Sequence, residues 1–334
     1  MDAAFCTGPG SIELRDVPSP EPETGHVLVR VHACGICGSD LHYYVGAASP
    51  PAVCIGHEIA GRVATAGDGF AVGEPVVVEP LLSCGVCARC RGGEPNLCPA
   101  LRILGNLAPG GLAELVDVPA SALYRVPPNL DLDAAMLAEP LAVGVHAAHL
   151  GEIAPGDGVL VLGGGTIGLL VAFVAATRGA RVIVSARHPH QAEAARALGA
   201  IDVVGTTREE ILGRLERTPP DTVLETVGGT AATLDLALRA VRPGGRIVAL
   251  GKFTRPITLP PLRLLMKEAR LVSSMTYCRR GPRPDFETAL ALLVHERARL
   301  AALITHRVPL RDVARGFALA IDKTSGAIKV AVAP

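Results

Sequence analysis

Residues 159–170 read VLVLGGGTIGLL, an apolar run that meets three closely spaced glycines and then continues as a second apolar run. Gly163, Gly165 and Gly168 have G-x-G-x-x-G spacing where a strand is expected to give way to a helix. There the first glycine makes the turn, the second lets a pyrophosphate approach the backbone, and the third packs the helix against the strand. The stretch therefore predicts a dinucleotide-binding unit, with phosphates at the helix N-terminus.

The pattern of predicted strands and helices differs before and after this motif. From about residue 155, apolar strands alternate with helical segments, which is typical of a parallel sheet with helical crossovers. Earlier residues form short β-like runs between glycine and proline turns, and short strands return after about residue 280. A chain of 334 residues suggests about two domains. We expect a β-rich domain over 1–145, a doubly wound α/β domain over 146–279, and a return to the first domain over 280–334.

Charge and hydropathy narrow the classes of partner. The chain has 32 basic and 32 acidic residues, so no global field attracts nucleic acid or an anionic membrane. Its longest apolar run, LLVAFVAA at 169–176, is far shorter than the roughly 20 residues that span a bilayer. The first residues lack the basic and apolar regions of a signal peptide. We expect a cytoplasmic protein that acts on a small molecule, with no nucleic-acid or membrane partner.

Residues 83–98, SCGVCARCRGGEPNLC, carry four cysteines in a lobe that we place at about residues 80–100. Two disulfides, a zinc cage, an iron–sulfur cluster or chance could each explain such a group. Disulfides do not persist in a reducing cytosol, and the wide last gap argues against an iron–sulfur cluster. Zinc fits best, and since four sulfurs leave no open position, the site should be structural. Its predicted ligands are Cys84, Cys87, Cys90 and Cys98.

A second group of ligand-type residues lies in CGICGSDLH at 34–42, GHEIAGRV at 56–63 and LAEPLAVGVHAA at 137–148. Taken singly, such a cysteine is most often a small buried residue, the histidine a core residue and each glutamate a solvated charge. Together, beside a dinucleotide fold, they offer sulfur, nitrogen and oxygen to one ion. Three protein ligands and one open position are what a Lewis-acid zinc requires. The candidates are Cys37, His57, Glu58 and Glu139.

In these segments and in their order, the chain resembles the zinc-dependent medium-chain alcohol dehydrogenases over essentially its whole length. CGSDLHYY at 37–44, Glu58 and EPLAVGVHAA at 139–148 are most similar to the polyol branch, which includes sorbitol, idonate and butanediol dehydrogenases. The resemblance implies a GroES-like catalytic domain, a Rossmann domain, one catalytic and one structural zinc per chain, and a homodimer or homotetramer.

The same resemblance implies roles for the second ligand group. Cys37 and His57 would bind the catalytic zinc, and Glu58 is the expected third ligand. Glu139 would lie beside the zinc-bound water or exchange with Glu58 as a ligand, and the sequence leaves both arrangements open.

Two further residues fall at the positions of a proton relay. Ser39 matches the hydroxyl that passes the substrate proton toward the cofactor ribose, and His42 matches the end of that relay. The alternatives are a turn serine and a surface histidine. The implied reaction moves a hydride between a nicotinamide cofactor and a secondary alcohol, or runs in reverse on the ketone, with zinc lowering the pKa of the hydroxyl.

The substrate class is less closely defined. Sorbitol-type enzymes often carry an arginine one residue before the tyrosine of the segment SSMTYC, and this chain has Thr276 before Tyr277. Long polyols are therefore in doubt, whereas smaller diols, other secondary alcohols and aminocyclitols stay open. A threonine-type amino-alcohol dehydrogenase is the alternative within the enzyme class. A zinc-ribbon nucleic-acid-binding protein is the alternative outside it, and the zero net charge argues against it.

The end of the second strand predicts which nicotinamide cofactor is used. NAD-binding folds usually place an acidic residue there, which holds the ribose hydroxyls and repels a 2′-phosphate. In RVIVSARHPHQ, at 181–191, that position falls on Ala186, and Arg187 follows it. A guanidinium can pair with a phosphate, so we expect NADP(H) to be favoured over NAD(H), the alternative being a solvated Arg187 and an NAD enzyme. The predicted cofactor site comprises Gly163, Gly165, Thr166, Ile167, Gly168, Ser185, Ala186, Arg187 and His188.

Overall fold

The structure, a computed structural model that describes residues 1–334, contains twelve α-helices and seventeen strands. The first part of the chain forms β1 (Asp2–Gly8), β2 (Ser11–Asp16), β3 (His26–Gly35), α1 (Gly38–Tyr44), β4 (Glu58–Val63), β5 (Pro75–Val78), β6 (Leu81–Leu82), α2 (Ala88–Arg91), β7 (Arg102–Ile103), β8 (Leu115–Pro119), β9 (Leu123–Arg125), α3 (Leu132–Ala135) and α4 (Ala138–Leu150).

The middle of the chain alternates strands with helices throughout. It forms β10 (Gly158–Leu162), α5 (Thr166–Thr177), β11 (Arg181–Ser185), α6 (Pro189–Ala197), β12 (Asp202–Val204), α7 (Arg208–Leu215), β13 (Thr222–Glu225), α8 (Thr233–Ala240), β14 (Arg246–Ala249), α9 (Pro261–Lys267) and β15 (Arg270–Ser273). The last part forms α10 (Asp285–His295), α11 (Arg297–Ala301), β16 (Ile304–Pro309), α12 (Val313–Ile321) and β17 (Lys329–Ala333). Short 3₁₀ turns occur at Pro95–Leu97, Ala120–Ala122, Leu310–Asp312 and Lys323–Ser325.

Two compact units divide the molecule. One comprises Met1–Glu139 and Cys278–Pro334, and the other comprises Pro140–Tyr277. The first boundary therefore falls after Glu139 rather than after residue 145, and the second after Tyr277 rather than after residue 279. The first boundary is hard to find in the sequence because α4 runs through it as one continuous helix.

The first unit is built on a seven-stranded sheet in the order β16-β17-β3-β4-β5-β9, with β8 also paired to β3. Strand β3 is central and alternates between buried and exposed positions at its middle, as a sheet with one buried face requires. The antiparallel register places Gly35 opposite Glu58, and Ala331 of the last strand opposite Gly35. This register brings residues near positions 35, 58 and 330 together.

An apolar core holds that sheet in place. Its buried members include Val29, Ile59, Val76 and Phe317, which are each at most 1% exposed. Burying a side chain of this size stabilises the folded state by about 1.5–3 kcal/mol. The strands that carry the ligand-type residues are therefore held by the core rather than by any bound ion.

The second unit contains a six-stranded, wholly parallel sheet in the order β12-β11-β10-β13-β14-β15. This is the doubly wound order of a Rossmann fold, and it reverses direction at β10. Helix α5 follows β10 and is buried over most of its length, because its residues are nearly all apolar. No helix of the molecule has both the length and the apolar character that crossing a membrane requires. Ligands of such sheets bind where the strand order reverses, which here is the carboxyl end of β10.

Candidate active site and cofactor site

The four cysteines of residues 84–98 lie close together, with all their sulfur atoms within 4.8 Å of one another. The Sγ of Cys87 is 3.5 Å from that of Cys90 and 4.0 Å from that of Cys98, and Cys84 and Cys90 are separated by 3.9 Å. A tetrahedral zinc with bonds of 2.3 Å places its sulfurs about 3.8 Å apart. The donor set and its spacing therefore fit the predicted structural zinc.

Local backbone geometry assembles this lobe. Cys87 is the N-cap of α2, and its sulfur accepts the backbone N–H of Cys90. Backbone N–H groups also donate to the sulfur of Cys84 and lower the pKa of that thiol to about 6, which favours the thiolate that a metal binds. The backbone N–H of Arg279, in the last part of the chain, donates to the carbonyl of Gly93 at 2.8 Å. This hydrogen bond connects the lobe to that part of the chain.

Cys37 and His57 lie at opposite sides of one buried aspartate. Cys37 is the N-cap of α1, and its backbone N–H donates to Oδ2 of Asp40 at 3.0 Å. The other oxygen, Oδ1, is 3.7 Å from Nδ1 of His57. This distance is that of an ion pair and is too long for a hydrogen bond, and Oδ1 has no hydrogen-bond partner. Asp40 was not among the predicted site residues, although its position three residues after Cys37, in the first turn of a helix, was a usable signal.

The remaining nitrogen of His57 faces the relay serine. Ser39 Oγ lies 3.4 Å from His57 Nε2, so the serine hydroxyl lies beside the nitrogen that is free to bind a metal. His42 lies three residues after Ser39 on the same helix α1, which places the two side chains on one face. The relay roles of Ser39 and His42 stay predictions.

Glu58 lies in an ion pair that we did not expect. Both of its carboxylate oxygens accept from Nζ of Lys329 at 2.6 Å, and neither side chain is more than 2% exposed. Lys329 was not among the predicted site residues, because it lies in the last strand and no local pattern connects it with Glu58.

Glu139, the other candidate carboxylate, is 5% exposed. Burial raises its pKa to about 7, against the opposing effect of His57, and Glu58 adds to the rise. Burial lowers the pKa of His57, but Asp40, Cys37 and Glu139 outweigh it and raise that pKa well above the usual value. The rise at Glu139 reflects its burial, whereas the rise at His57 reflects the acidic groups around it.

This second group is less compact than the four cysteines. No three of the ligand atoms of Cys37, His57, Glu58 and Glu139 lie within 4.8 Å of one another. The donor types, a thiol, an imidazole and a carboxylate, nevertheless suit zinc with an open position. The residues present fit a catalytic zinc held by Cys37, His57 and one glutamate.

The glycine motif has the predicted geometry in the second unit. Gly163 has φ +111°, a conformation that side chains rarely adopt, and Gly165 is the N-cap of α5. A Cβ on Gly168 would lie 1.9 Å from the carbonyl oxygen of Gly163, so only glycine lets the helix pack this closely. Helix α5 begins at Thr166, as expected, and Ile167 follows in its first turn. Its first N–H groups point outward from the carboxyl end of β10, where a pyrophosphate can accept from them.

A cavity of about 300 Å³ lies beside this motif, at the ends of β10 and β11. Its lining includes Gly163 and Ser185, and two arginines, Arg187 and Arg208. Ala186 directly follows β11, so the expected acidic position carries no carboxylate. Arg208 begins α7 and was not identified from the sequence, because only the pairing of β12 with β11 brings it to this cavity.

Hydrogen bonds between side chains and backbone groups hold the loop after β11. The side-chain oxygen of Gln191 accepts the backbone N–H groups of Arg187 at 3.2 Å and of His188 at 3.3 Å. Ser185 donates its hydroxyl to the carbonyl of Gly205 at 3.1 Å. The loop that carries Arg187 is therefore held in place from both sides, while its guanidinium is exposed.

The parallel sheet with its glycine turn and the thiol–imidazole–carboxylate donor set define a dinucleotide-dependent oxidoreductase with a metal centre. Residues 23–128 match the family model of the alcohol dehydrogenase GroES-like domain, and residues 166–295 match that of zinc-binding dehydrogenase. The chain belongs to the zinc-type, medium-chain alcohol dehydrogenase family. The predicted fold class, a Rossmann domain with a GroES-like domain, is confirmed, as is the enzyme class.

Individual relatives match along nearly their whole length. A sorbitol dehydrogenase from Halalkalibacterium halodurans is 33% identical over 98% of this chain and 97% of its own. The structure of a zinc-binding dehydrogenase from Sinorhizobium meliloti 1021 bound to NADP is 33% identical, with a TM-score of 0.88 over 100% of this chain and 99% of that one. A protein described as a short chain alcohol dehydrogenase from Escherichia coli CFT073, complexed with NADH, is 28% identical with a TM-score of 0.90 over 100% and 99%.

Proposed function

We propose that this enzyme oxidises a secondary alcohol, or reduces the matching ketone, at a catalytic zinc held by Cys37, His57 and a glutamate. The observation that carries the proposal is Asp40, which contacts both the backbone of Cys37 and the ring of His57 while Ser39 lies beside the free ring nitrogen. When bound, zinc supplies a Lewis acid and the nicotinamide supplies a hydride acceptor.

The side chains of the first unit then handle the proton. Ser39 Oγ accepts the proton that the substrate hydroxyl loses and passes its own proton outward, toward the relay that ends at His42. The charge of Asp40, 3.7 Å from Nδ1 of His57, favours the tautomer that is protonated at Nδ1 and leaves Nε2 as the ligand. In ketone reduction the same groups return a proton to the carbonyl oxygen.

Metal content tests this assignment directly. The native chain should hold two zincs, one in the four-cysteine lobe and one at Cys37 and His57. His57→Ala should retain one zinc and lose turnover, with Cys90 and its partners still loaded. A native chain that holds a single zinc, or a His57→Ala enzyme that keeps two, contradicts the proposal.

For the substrate we propose a polyol, diol or cyclitol. Supporting this, the sorbitol dehydrogenase of Halalkalibacterium halodurans, a polyol enzyme, matches nearly the whole chain. Thr276, which stands where a basic residue would contact a distal hydroxyl, donates its own hydroxyl to the carbonyl of Met275 at 2.9 Å. This favours short diols and cyclitols over long polyols. A panel of these alcohols, followed at 340 nm, should show higher kcat/KM for diols than for sorbitol.

For the cofactor we propose a preference for NADP(H). Arg187 and Arg208 line the cavity beside the glycine motif, and no carboxylate stands at Ala186. A charge-assisted contact to the 2′-phosphate would contribute on the order of 1.5–3 kcal/mol, or one to two decades of affinity. NADP(H) should therefore show the higher kcat/KM, and Ala186→Asp with Arg187→Ala should reverse the ratio. Arg208→Ala should weaken NADPH binding but not NADH binding, while the matched control Arg217→Ala, outside this cavity, changes neither.

For the assembly we propose a homodimer or homotetramer that works in the cytoplasm. Strand β15 is the edge of its sheet, and an unpaired edge can pair with a second copy. The neighbouring helix α9 exposes Leu265 and Met266, which are 70% and 75% exposed. Leu265→Glu with Met266→Glu should lower the mass measured by light scattering, whereas Leu107→Glu, at an exposed leucine of the other unit, should not.

A further inference from the structure

A cavity of the first unit lies apart from the residues assigned so far. Its volume is about 480 Å³, which is within the usual range of small-molecule sites. Its walls come from β1, the segment between β2 and β3, residues 52–54, and the chain from β6 to β8. None of the predicted zinc ligands, relay residues or cofactor residues lines it. Most of the lining is apolar and includes Phe5, Val17, Pro20, Leu82, Leu104 and Leu115.

The charged side chains of this cavity are mostly acidic. Glu21, Glu23 and Asp117 line it, and Arg102 and His26 are its basic residues. Oδ2 of Asp117 lies 2.8 Å from Nδ1 of His26, whereas Oδ1 is buried and has no hydrogen-bond partner. The carboxylate of Asp117 therefore has acceptor capacity that the protein does not use. A cavity with this balance of charge favours a cation over an anion.

The segment between β2 and β3 forms one wall. Residues 17–26 read VPSPEPETGH, and proline fixes the backbone φ at three of these positions. The backbone N–H of Val17 donates to the carbonyl of Met1 at 2.9 Å, and that of His26 donates to the carbonyl of Glu23 at 3.0 Å. Both ends of the segment are therefore held. A wall that is ordered before binding lowers the entropic cost of taking up a ligand.

Another wall belongs to the chain that leads to His57. Cys54 lines the cavity three residues before that histidine, and its carbonyl accepts the backbone N–H of Gly110 at 2.8 Å. Beside this bond, the N–H of Leu112 donates to the carbonyl of Ile55 at 2.9 Å. Burial raises the pKa of Cys54 to about 12, so its thiol adds no charge to the wall. A ligand in the cavity would contact the hydrogen-bonded chain that precedes His57.

We propose that this cavity binds a small apolar amine in its protonated form. The ammonium group pairs with the carboxylate of Asp117, and the apolar body packs against the apolar lining. A bound amine also stabilises the hydrogen bonds of residues 54–56, which precede His57. The site requires neither the catalytic zinc nor the nicotinamide cofactor, so it stands independently of the proposed reaction.

Titration calorimetry with 2-phenylethylamine tests the proposal, and phenylacetate serves as a probe of opposite charge. At neutral pH the amine should bind and phenylacetate should not. Asp117→Asn should weaken binding of the amine by about tenfold or more, because it removes a charge-assisted contact. Ala52→Phe places a ring at an exposed residue of the lining and should weaken binding as well. Glu23→Gln should weaken it by only about twofold, since the side chain of Glu23 is 77% exposed.

Matched variants separate the cavity from the rest of the molecule. Ala71→Phe and Glu209→Gln change exposed residues outside the lining and should leave binding of the amine unchanged. His57→Ala should bind the amine as the native chain does. Circular dichroism checks the folding of Asp117→Asn, and Ala52→Phe tests the cavity if that variant does not fold.

Hydrogen exchange locates the bound amine. With 2-phenylethylamine present, exchange should slow at residues 54–56 and 110–112 of the native chain. The same residues of Ala52→Phe should exchange at the same rate with and without the amine.

Three results would overturn the proposal. Absence of binding, or equal binding of phenylacetate, would show that the class of ligand is wrong. Binding that is lost in His57→Ala but kept in Ala52→Phe would place the amine at the proposed zinc site instead. A lower mass of Ala52→Phe in light scattering would mean that a second copy of the chain, and not an amine, occupies the cavity.

Discussion

The four-cysteine lobe and the Cys37–His57 group are assembled in different ways. The lobe takes all its ligands from residues 84–98, and its sulfurs lie within 4.8 Å of one another. The other group draws on α1, the start of β4 and the start of α4, with Lys329 added from β17, and its ligand atoms are less closely grouped. Cys84 is exposed, whereas Glu58 and Glu139 are buried.

This difference indicates what each metal would do. The lobe has little apolar side chain to bury, so a bound ion must supply much of its folding free energy. The Cys37–His57 group lies on strands that an apolar core and Asp40 already hold. A metal bound there would therefore not be needed for the fold and could keep a position open for chemistry. The predictions below test that division, from the largest expected effect to the smallest.

Cys37→Ala should separate activity from stability most strongly. It removes a ligand of the catalytic zinc, so turnover should fall by more than about 10⁴-fold. The melting temperature of the protein should change little, because the surrounding strands are packed independently of the metal. Steady-state kinetics beside calorimetry check this. Near-native turnover would mean that the active site has been misplaced.

Ser39→Ala should have the next largest effect. It should again lower only the rate of turnover. The loss of a positioned proton-transfer group slows the chemical step by roughly 10² to 10⁴. Binding of NADPH, measured by fluorescence, should not change. His42→Ala should cost less, because water can replace the end of a relay. Unchanged turnover of Ser39→Ala in the direction limited by chemistry would refute the relay.

Cys90→Ser should show the opposite behaviour to Cys37→Ala. Losing a ligand of the closed cage should reduce the free energy of unfolding by on the order of 3 kcal/mol. In a chain of 334 residues that lowers the melting temperature by roughly 4 °C. The protein that remains folded should keep most of its turnover per bound catalytic zinc. If melting is unchanged and turnover is lost, the two sites have exchanged roles.

Arg280→Ala should have the smallest effect on stability. It tests whether a surface ion pair stabilises the four-cysteine lobe. Arg280 pairs with Glu94 at 3.2 Å, but its side chain is 66% exposed. Exposed pairs of this kind contribute about 0–1 kcal/mol. Urea unfolding of the variant should therefore match the native curve within about 1 kcal/mol, with both zincs retained. A loss as large as that of Cys90→Ser would mean that surface charge, not metal, stabilises the lobe.

Much of this molecule could be predicted from local sequence. The glycine spacing of Gly163, Gly165 and Gly168 predicted the strand, the turn and the helix at Thr166, because the φ of Gly163 and the close packing of Gly168 are short-range steric requirements. The grouping of the four cysteines could be predicted in the same way, since a tight loop brings them together without help from other parts of the chain.

Other features depended on contacts between distant residues. Arg208 reaches the cavity of Arg187 only through the pairing of β12 with β11. The first unit boundary was placed too late because a helix, α4, runs through it. Asp40 could have been identified from the sequence, but its contact with His57 depends on how α1 packs beside β4.

The sequence by itself determined the chemistry that is available here: a dinucleotide turn, a thiolate cage, and a thiol, an imidazole and carboxylates that suit an open zinc site. Tertiary structure alone decided which group pairs with Glu58, because Lys329 and Glu58 are 271 residues apart and meet only when β17, β3 and β4 adopt one register. Short-range spacing follows from bond geometry and is visible in the sequence. Strand register follows from the packing of the whole core, which no local pattern encodes.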